Sequence, residues 1–428
     1  MSTMQNSNSS SRWFRILAPW IAAILLLGLL PVFLRSGFLL SMASEMGIMI
    51  IFALSYNMLL GQGGMLSFGH AVYFGLGGFI AMHALNFIND GSLLLPLELL
   101  PLIGGLGGLC FGIIFGYVST RRAGTPFALI SLGIGELIAA CSLMLPSFFG
   151  GEEGISGDRM AEITLTPFGF GQQVEVYYLI VFWMLVSIGL MYLLTRTPMG
   201  RMANAVRDNP ERTPFVGYNT HIVRTIQLSL AAFFAGVAGG LFAINYEIVT
   251  AEVVGAIPSA NVLMMTYIGG IGFFFGPILG AILITLMELM LANITHAWIL
   301  YYGLMFVAMI LWAPGGLAGL IMMHKPLWQG RALTGVLKSY LIMAGPVITL
   351  FLGCMTLIEI NYHLSLSIKP EDPMHIFGIE FYAQSLGPWI TSIALSVGGF
   401  FWFLKTRPVV GRAWQTALEQ IKQKDSAS

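Results

Sequence analysis

The chain has 428 residues, 57% of them hydrophobic and 9% charged, where a soluble domain carries about 25% charged residues, so a soluble globular protein is excluded. Its 20 basic and 20 acidic residues cancel, which leaves no cationic surplus to hold a polyanion and excludes nucleic acid as a main partner. Cys110, Cys141 and Cys354 each sit inside an apolar run without a His or Cys at ligand spacing, so neither a disulfide framework, a metal site nor a cofactor motif is readable.

Residues 1–15, with a Ser/Asn stretch from Ser2 to Ser11, read as a short disordered cytoplasmic tail. Apolar blocks follow at 16–34, 37–60, 66–88, 93–118, 126–149, 176–195, 225–246, 262–292, 298–321, 339–360 and 387–404, and about 20 apolar residues suffice to cross a bilayer as a helix. The first block ends in Arg35-Ser36-Gly37 without a small-residue cleavage site, so it is an uncleaved span. The fold class is all-α: a polytopic membrane protein of about 11–12 transmembrane helices, one of them broken. Residues 16–324 form the main transmembrane domain. Residues 325–428 form a C-terminal extension with two further spans, whose tail from Gly411 to Lys424 reads as a short amphipathic helix on the membrane surface.

Short loops rich in Lys and Arg stay cytoplasmic. Arg12 and Arg15, Arg121 and Arg122, the loop 196–224, Lys325 with Arg331 and Lys338, and Lys405 with Arg407 and Arg412 mark that side. Loop 150–175 carries Glu152, Glu153, Asp158, Glu162 and Glu175 against Arg159, and loop 361–386 carries Glu371, Asp372 and Glu380 against Lys369; both belong outside. Both termini are then cytoplasmic, with Arg35 the one dissent. The alternation fails after residue 250 unless the long block 262–292 crosses twice. Its centre, Gly269-Gly270-Ile271-Gly272-Phe273-Phe274-Phe275-Gly276-Pro277, would break a helix, so the block is expected as a short segment 261–271, a tight cytoplasmic turn and a helix 277–292, packed inside protein.

None of the six lysines, Lys325, Lys338, Lys369, Lys405, Lys422 and Lys424, follows a glycine, so no phosphate-cradling Gly-Lys-Ser/Thr loop exists. Any ATP hydrolysis is the work of another polypeptide. Ionisable residues within the spans are Glu45, Glu136, Glu288, Glu359, His70 and His83; they read as helix-end groups bonded to neighbours or as a proton relay. No nucleophile–base pair is visible on the loops, which argues against an enzyme.

The longest structured loop is Thr195 to Arg224, TRTPMGRMANAVRDNPERTPFVGYNTHIVR. Met199, Met202, Ala203 and Val206 recur at helical spacing. Asn209-Pro210-Glu211 then supplies an N-cap, a first-position proline and an acid in the first turn, and Gly217 a stop. A helix 210–216 this short cannot stand alone and should dock on something; Pro214 makes a single 3₁₀ turn the alternative, and an ordinary positive-inside loop is the plain one.

Gly61-Gln62-Gly63-Gly64-Met65-Leu66-Ser67-Phe68-Gly69-His70-Ala71 resembles the signature of the branched-chain amino-acid ABC transporter permeases. So do Gly133-Ile134-Gly135-Glu136-Leu137, Gly269-Gly270-Ile271-Gly272 through Gly276-Pro277, and Pro314-Gly315-Gly316-Leu317. The likeness runs from about residue 35 to 321, and the residues after Ile321 have no counterpart in it. It implies a permease subunit of an ABC importer working with ABC ATPase subunits, a second permease subunit, identical or not, and an extracytoplasmic solute-binding protein, in the lipid of the inner membrane. It also implies that loop 196–224 couples to the ATPase through Arg207, Asn209, Pro210, Glu211 and Gly217. Glu211 and Gly217 keep the family's Glu-to-Gly spacing, while Arg212 and Thr213 replace its two alanines.

Gly61, Gly63, Gly64, Gly69, Gly75, Gly77 and Gly78 are expected to let the second and third spans cross closely. The sharper reading makes Gly61 to Ser67 a non-helical break on the substrate path. On it the path takes Gly61, Gln62, Gly63, Gly64, Ser67, Glu136, Asn245, Gly269 and Gly270. Substrate class follows from the resemblance: branched-chain or related amino acids, with urea, short amides or sugars as the alternative and an ion-coupled secondary carrier as the other class.

Overall fold

A computed structural model of the chain describes residues 7–34, 36–160, 163–329, 333–366, 373–376 and 379–427. In chain order its helices are α1 (Ser7–Phe33), α2 (Gly37–Asn57), α3 (Ala71–Asn89), α4 (Leu100–Ser119), α5 (Thr125–Met144), α6 (Pro146–Phe149), α7 (Gln173–Arg196), α8 (Pro198–Asp208), α9 (Thr220–Tyr246), α10 (Ala256–Gly269), α11 (Gly276–Leu291), α12 (Trp298–Trp312), α13 (Gly316–Gln329), α14 (Leu333–Leu366) and α15 (Leu386–Ala427). Among the described residues, strands are confined to two antiparallel pairs, β1 (Ile155–Ser156) with β2 (Ile248–Val249), and β3 (Met374–Ile376) with β4 (Ile379–Phe381).

The protein is an all-α polytopic membrane protein, with fewer full-length spans than expected. Among the described residues, eight helices are long and apolar enough to cross a membrane, or nine if the pair Trp298–Trp312 and Gly316–Trp328, bent by 44°, counts as one. The block 262–292 supplies none of the eight, because it breaks as its glycines predict: α10 stops at Gly269, Gly270 takes φ 113°, and α11 restarts at Gly276. The apolar part of α1 is the short stretch Trp20–Phe33. Of the expected N-terminal tail, residues 1–6 lie outside the described residues and the chain is helical from Ser7. The tail from Gly411 is not a separate surface helix but the continuation of α15. Good helix formers carry it past Pro408, and Trp414 and Ala417 pack against Leu327, Val336 and Tyr340.

The chain divides into two compact units, Met1–Met290 with Ala308–Ala318, and Leu291–Val307 with Gly319–Ser428. The expected boundary at residue 325 falls inside α13. The first unit is built on α3, α4 and α9, and here the glycine reading needs a correction. The α3 glycines do not serve a crossing with α2: Gly77 lies against Gly236 of α9 and Gly104 of α4, Gly78 against Gly239, and Gly75 against Val254. Between apolar helices without a hydrophobic driving force, backbone-close packing of small residues is the main attraction. Helix starts follow their caps: Gln172 and Glu175 form a capping box for α7, Thr197 accepts from the Gly200 N–H before α8, and Asn219 accepts from the His221 N–H before α9. In the second unit α14 and α15 pack closely enough for Gly399 to meet the Leu350 backbone, and Glu359 accepts from Thr295 Oγ1 (2.7 Å) and Tyr301 OH (2.9 Å).

Candidate functional site

Of the expected break from Gly61 to Ser67, only Gly63 to Ser67 is non-helical; Gly61 and Gln62 are still in a helical turn. A π-turn, Met58–Gln62, ends α2; Gly64 takes φ 64°, and the chain stays irregular until α3 begins at Ala71. Other segments hold this break in place. The Gln227 amide donates to Met58 O (2.7 Å), Tyr56 OH donates to Ser67 O (2.9 Å), and Ser131 Oγ of α5 accepts from Phe68 N–H (3.0 Å). Gly69 packs so closely on the Ser131 carbonyl that a Cβ there has no room. His70 is fully buried among Phe52, Tyr56 and Tyr73, with Ser55 Oγ 3.0 Å from its Nε2.

The remaining glycine motifs converge on the same place. A Cβ on Gly61 would lie 2.8 Å from Ile271 O, and Gly270 and Gly316 meet backbone to backbone, the latter at φ 64°. Arg207, in the last turn of α8, closes the assembly: its Nη1 donates to Gly61 O, its stem lies over Gly64, and its Nε donates to Asp208 Oδ1 (2.9 Å). The coupling residues are contiguous with this junction. Asn209 ends α8 and its Oδ1 accepts from Arg212 N–H (3.0 Å). The expected helix 210–216 is not formed. Its place is taken by a turn at 210–212 and a 3₁₀ helix, Thr213–Val216, because Pro214 cannot donate to an α-helical ladder. Gly217 is the stop, in the left-handed conformation at φ 89°. Sequence reasoning missed Phe215, which stands at the tip of this turn, 91% exposed; an apolar residue flanked by prolines and charges in a loop was the available signal.

The residues assigned to the path separate into three places. At the junction Gly61 and Gly64 touch Arg207, Gln62, Gly63 and Ser67 share their segment, and Gly269 and Gly270 pack on Gly276 and Gly315 at the second break. Glu136 lies on the exposed face of α5. Asn245, at the far end of α9, accepts from the Gln173 amide (2.8 Å) through its side chain and from Arg159 Nη1 (3.2 Å) through its carbonyl, while Glu247 accepts from Arg159 N–H (3.0 Å). That network ties loop 157–160 to the end of α9.

None of those residues lines a cavity of about 490 Å³ within the first unit. Its walls are Met49 and Phe52 of α2, Phe74 of α3, Phe242 of α9, and Val262 and Met265 of α10. Glu45 of α2 and Glu288 of α11 enter it within electrostatic reach of each other, and Tyr246 hydrogen-bonds Glu45. The segment Thr250 to Ile257, which the sequence reading left without a role, closes one side. Gly255 followed by Pro258 was the signal for a helix start there.

A multi-span chain with glycine junctions, a projecting turn and an internal cavity has the parts of a permease. The family described as branched-chain amino acid transport system / permease component matches residues 38–314. The chain belongs to that family. Among these permeases it is 28% identical to the high-affinity branched-chain amino acid transport system permease protein LivM of Escherichia coli, over 73% of this chain and 77% of that protein. It is 26% identical to the corresponding protein BraD of Pseudomonas aeruginosa, over 63% and 91%. The fructose import permease protein FrcC of Rhizobium meliloti is 28% identical over 43% of this chain and 52% of its own length. No solved structure matches.

Proposed function

We propose that the chain is the membrane path of an ABC importer for branched-chain or related amino acids, powered by separate ATPase subunits and fed by an extracytoplasmic binding protein. A second permease subunit completes the path. The chain performs no covalent chemistry and lies in the inner membrane with both termini cytoplasmic. The observation that carries the reading is the contact of Arg207 with Gly61 and Gly64, which ties the α8 turn to the broken segments of the bundle. A push on Phe215 or Glu211 by a closing ATPase dimer would reach these breaks through α8, whose buried Gly200, Ala203 and Val206 fix it on the bundle. The extension 325–428 stands outside this mechanism. A sugar is the second reading, on the partial likeness to the fructose permease.

The test is co-purification and uptake with the partner subunits. Without the ATPase, proteoliposomes should take up no leucine and hydrolyse no ATP; gradient-driven uptake by the chain alone would establish the carrier reading instead. Gly217→Val should weaken ATPase retention, since a β-branched residue resists φ 89°, while Gly217→Asn should retain it. Glu211→Arg should act in the same direction as Gly217→Val. Normal retention in both damaging variants would reduce this loop to a plain connector.

Sidedness gives a separate expectation. A cysteine replacing Phe215 should react with an impermeant thiol reagent only from the cytoplasm, and one replacing Glu153 only from outside; both positions are exposed. Labelling of both from one side would overturn the orientation.

A further inference from the structure

The cavity between α2, α9, α10 and α11 carries two opposite poles. At one pole are the half-buried carboxyls of Glu45 and Glu288, within electrostatic reach of each other; a third lining residue, Glu252, is exposed, and no Lys, Arg or His is among the residues lining the space. Two carboxylates so placed repel, and Coulomb attraction grows as water is excluded, so the pair is complementary to a cation. At the other pole is the start of α10, a 14-residue helix whose cap, Gly255, has no side chain to accept from its first N–H groups. The Ser259 hydroxyl, which could have served, accepts instead from the Ala71 N–H (3.1 Å). Ala256 and Ile257 both line the cavity, and the first N–H groups of a helix lack intrahelical acceptors and carry its positive end. A volume of about 490 Å³ is that of a small-molecule site, far larger than a bare ion needs. Its walls are aromatic and aliphatic.

We propose that this cavity binds a zwitterionic amino acid with an apolar side chain: the ammonium group between Glu45 and Glu288, the carboxylate at the N-terminus of α10, and the side chain against Phe52, Phe74 and Phe242. The assignment rests on the reading of the chain as an amino-acid permease. The α10–α11 break serves the site from a distance: by letting α11 run back beside α10 it brings Glu288 to the end of the cavity where α10 starts. A simple cation would leave the α10 end without a partner, and a sugar, whose hydroxyls can donate to the carboxylates, brings no anion to that end.

The experiment uses the complete transporter in proteoliposomes, with radiolabelled leucine as the probe. Glu45→Gln and Glu288→Gln should each lower leucine uptake at least about tenfold, the size of one charge-assisted hydrogen bond, while the assembled complex is recovered at the wild-type level. Phe242→Ala should enlarge the site and raise the uptake ratio of phenylalanine to leucine by about tenfold, a change of selectivity that mere loss of stability does not produce. Should either glutamine variant fail to assemble, that ratio decides. A wild-type complex that takes up leucine, with glutamine variants equal to it or an unchanged ratio in Phe242→Ala, would overturn the site and leave the importer reading intact. A wild-type complex that transports fructose but no branched-chain amino acid would overturn the importer reading itself.

Discussion

Gly239→Ala is expected to abolish accumulation of folded protein. The added methyl would land on the Phe74 carbonyl oxygen, with Gly78 N 2.9 Å away, so a single carbon forces α3 and α9 apart at the centre of the most buried helix pair. Overpacking by one methylene in an adaptable core costs about 1–3 kcal/mol. Here both obstacles are backbone, which cannot change rotamer, so the cost should exceed that range and approach the whole stability of an ordinary domain. Gly133→Ala, on α5, is the matched control: no atom lies within 4 Å of its added Cβ, and alanine is the better helix former by about 1 kcal/mol. The check is the monodisperse fraction in mild detergent together with the melting temperature. Equal yields and melting temperatures for Gly239→Ala and the wild type would show that the α3–α9 packing is not as close as described.

Arg207→Ala carries the second large effect, on transport rather than on folding. It removes the bond to Gly61 O and the stem over Gly64, and with them the side-chain link between α8 and the break after α2. Leucine uptake should fall at least tenfold, as for loss of a charge-assisted bond of about 1.5–3 kcal/mol, while abundance and ATPase retention persist, because the docking turn 210–217 keeps its own bonds through Asn209 and Thr213. ATP hydrolysis should continue uncoupled from uptake. Lysine reaches a carbonyl less well than the planar guanidinium fork, so Arg207→Lys should fall between. Wild-type uptake in Arg207→Ala would mean that force passes by another route.

How far these features could be read without coordinates depended on their range. The breaks at Gly63–Ser67 and at Gly270–Phe275 and the stop at Gly217 are set by a few consecutive residues whose backbone preferences are strong, so glycine and proline announce them. The 3₁₀ turn at Thr213–Val216 was available as an alternative because Pro214 states it directly. Partner choice was not legible. Gly77 and Gly78 announce a close crossing but not that α9 and α4, rather than α2, cross there; the answer lies in residues over a hundred positions away. The cavity failed for the same reason. Glu45 and Glu288 each look like a helix-end acid, and only the doubling back of α10 and α11 brings them together. Glu136, mid-way along α5 on its exposed face, was named for its type alone.

The continuous helix α15 has 42 residues, a length of about 63 Å at 1.5 Å per residue, roughly twice the hydrocarbon thickness of a bilayer. Wherever its apolar half settles, the half that carries Arg412, Trp414 and Gln415 must stand clear of the lipid as a post whose direction is set inside the membrane. Such an element transmits rotation as well as displacement. One residue added to or removed from it would turn everything beyond that point by about 100°, with no change to any side chain at its tip.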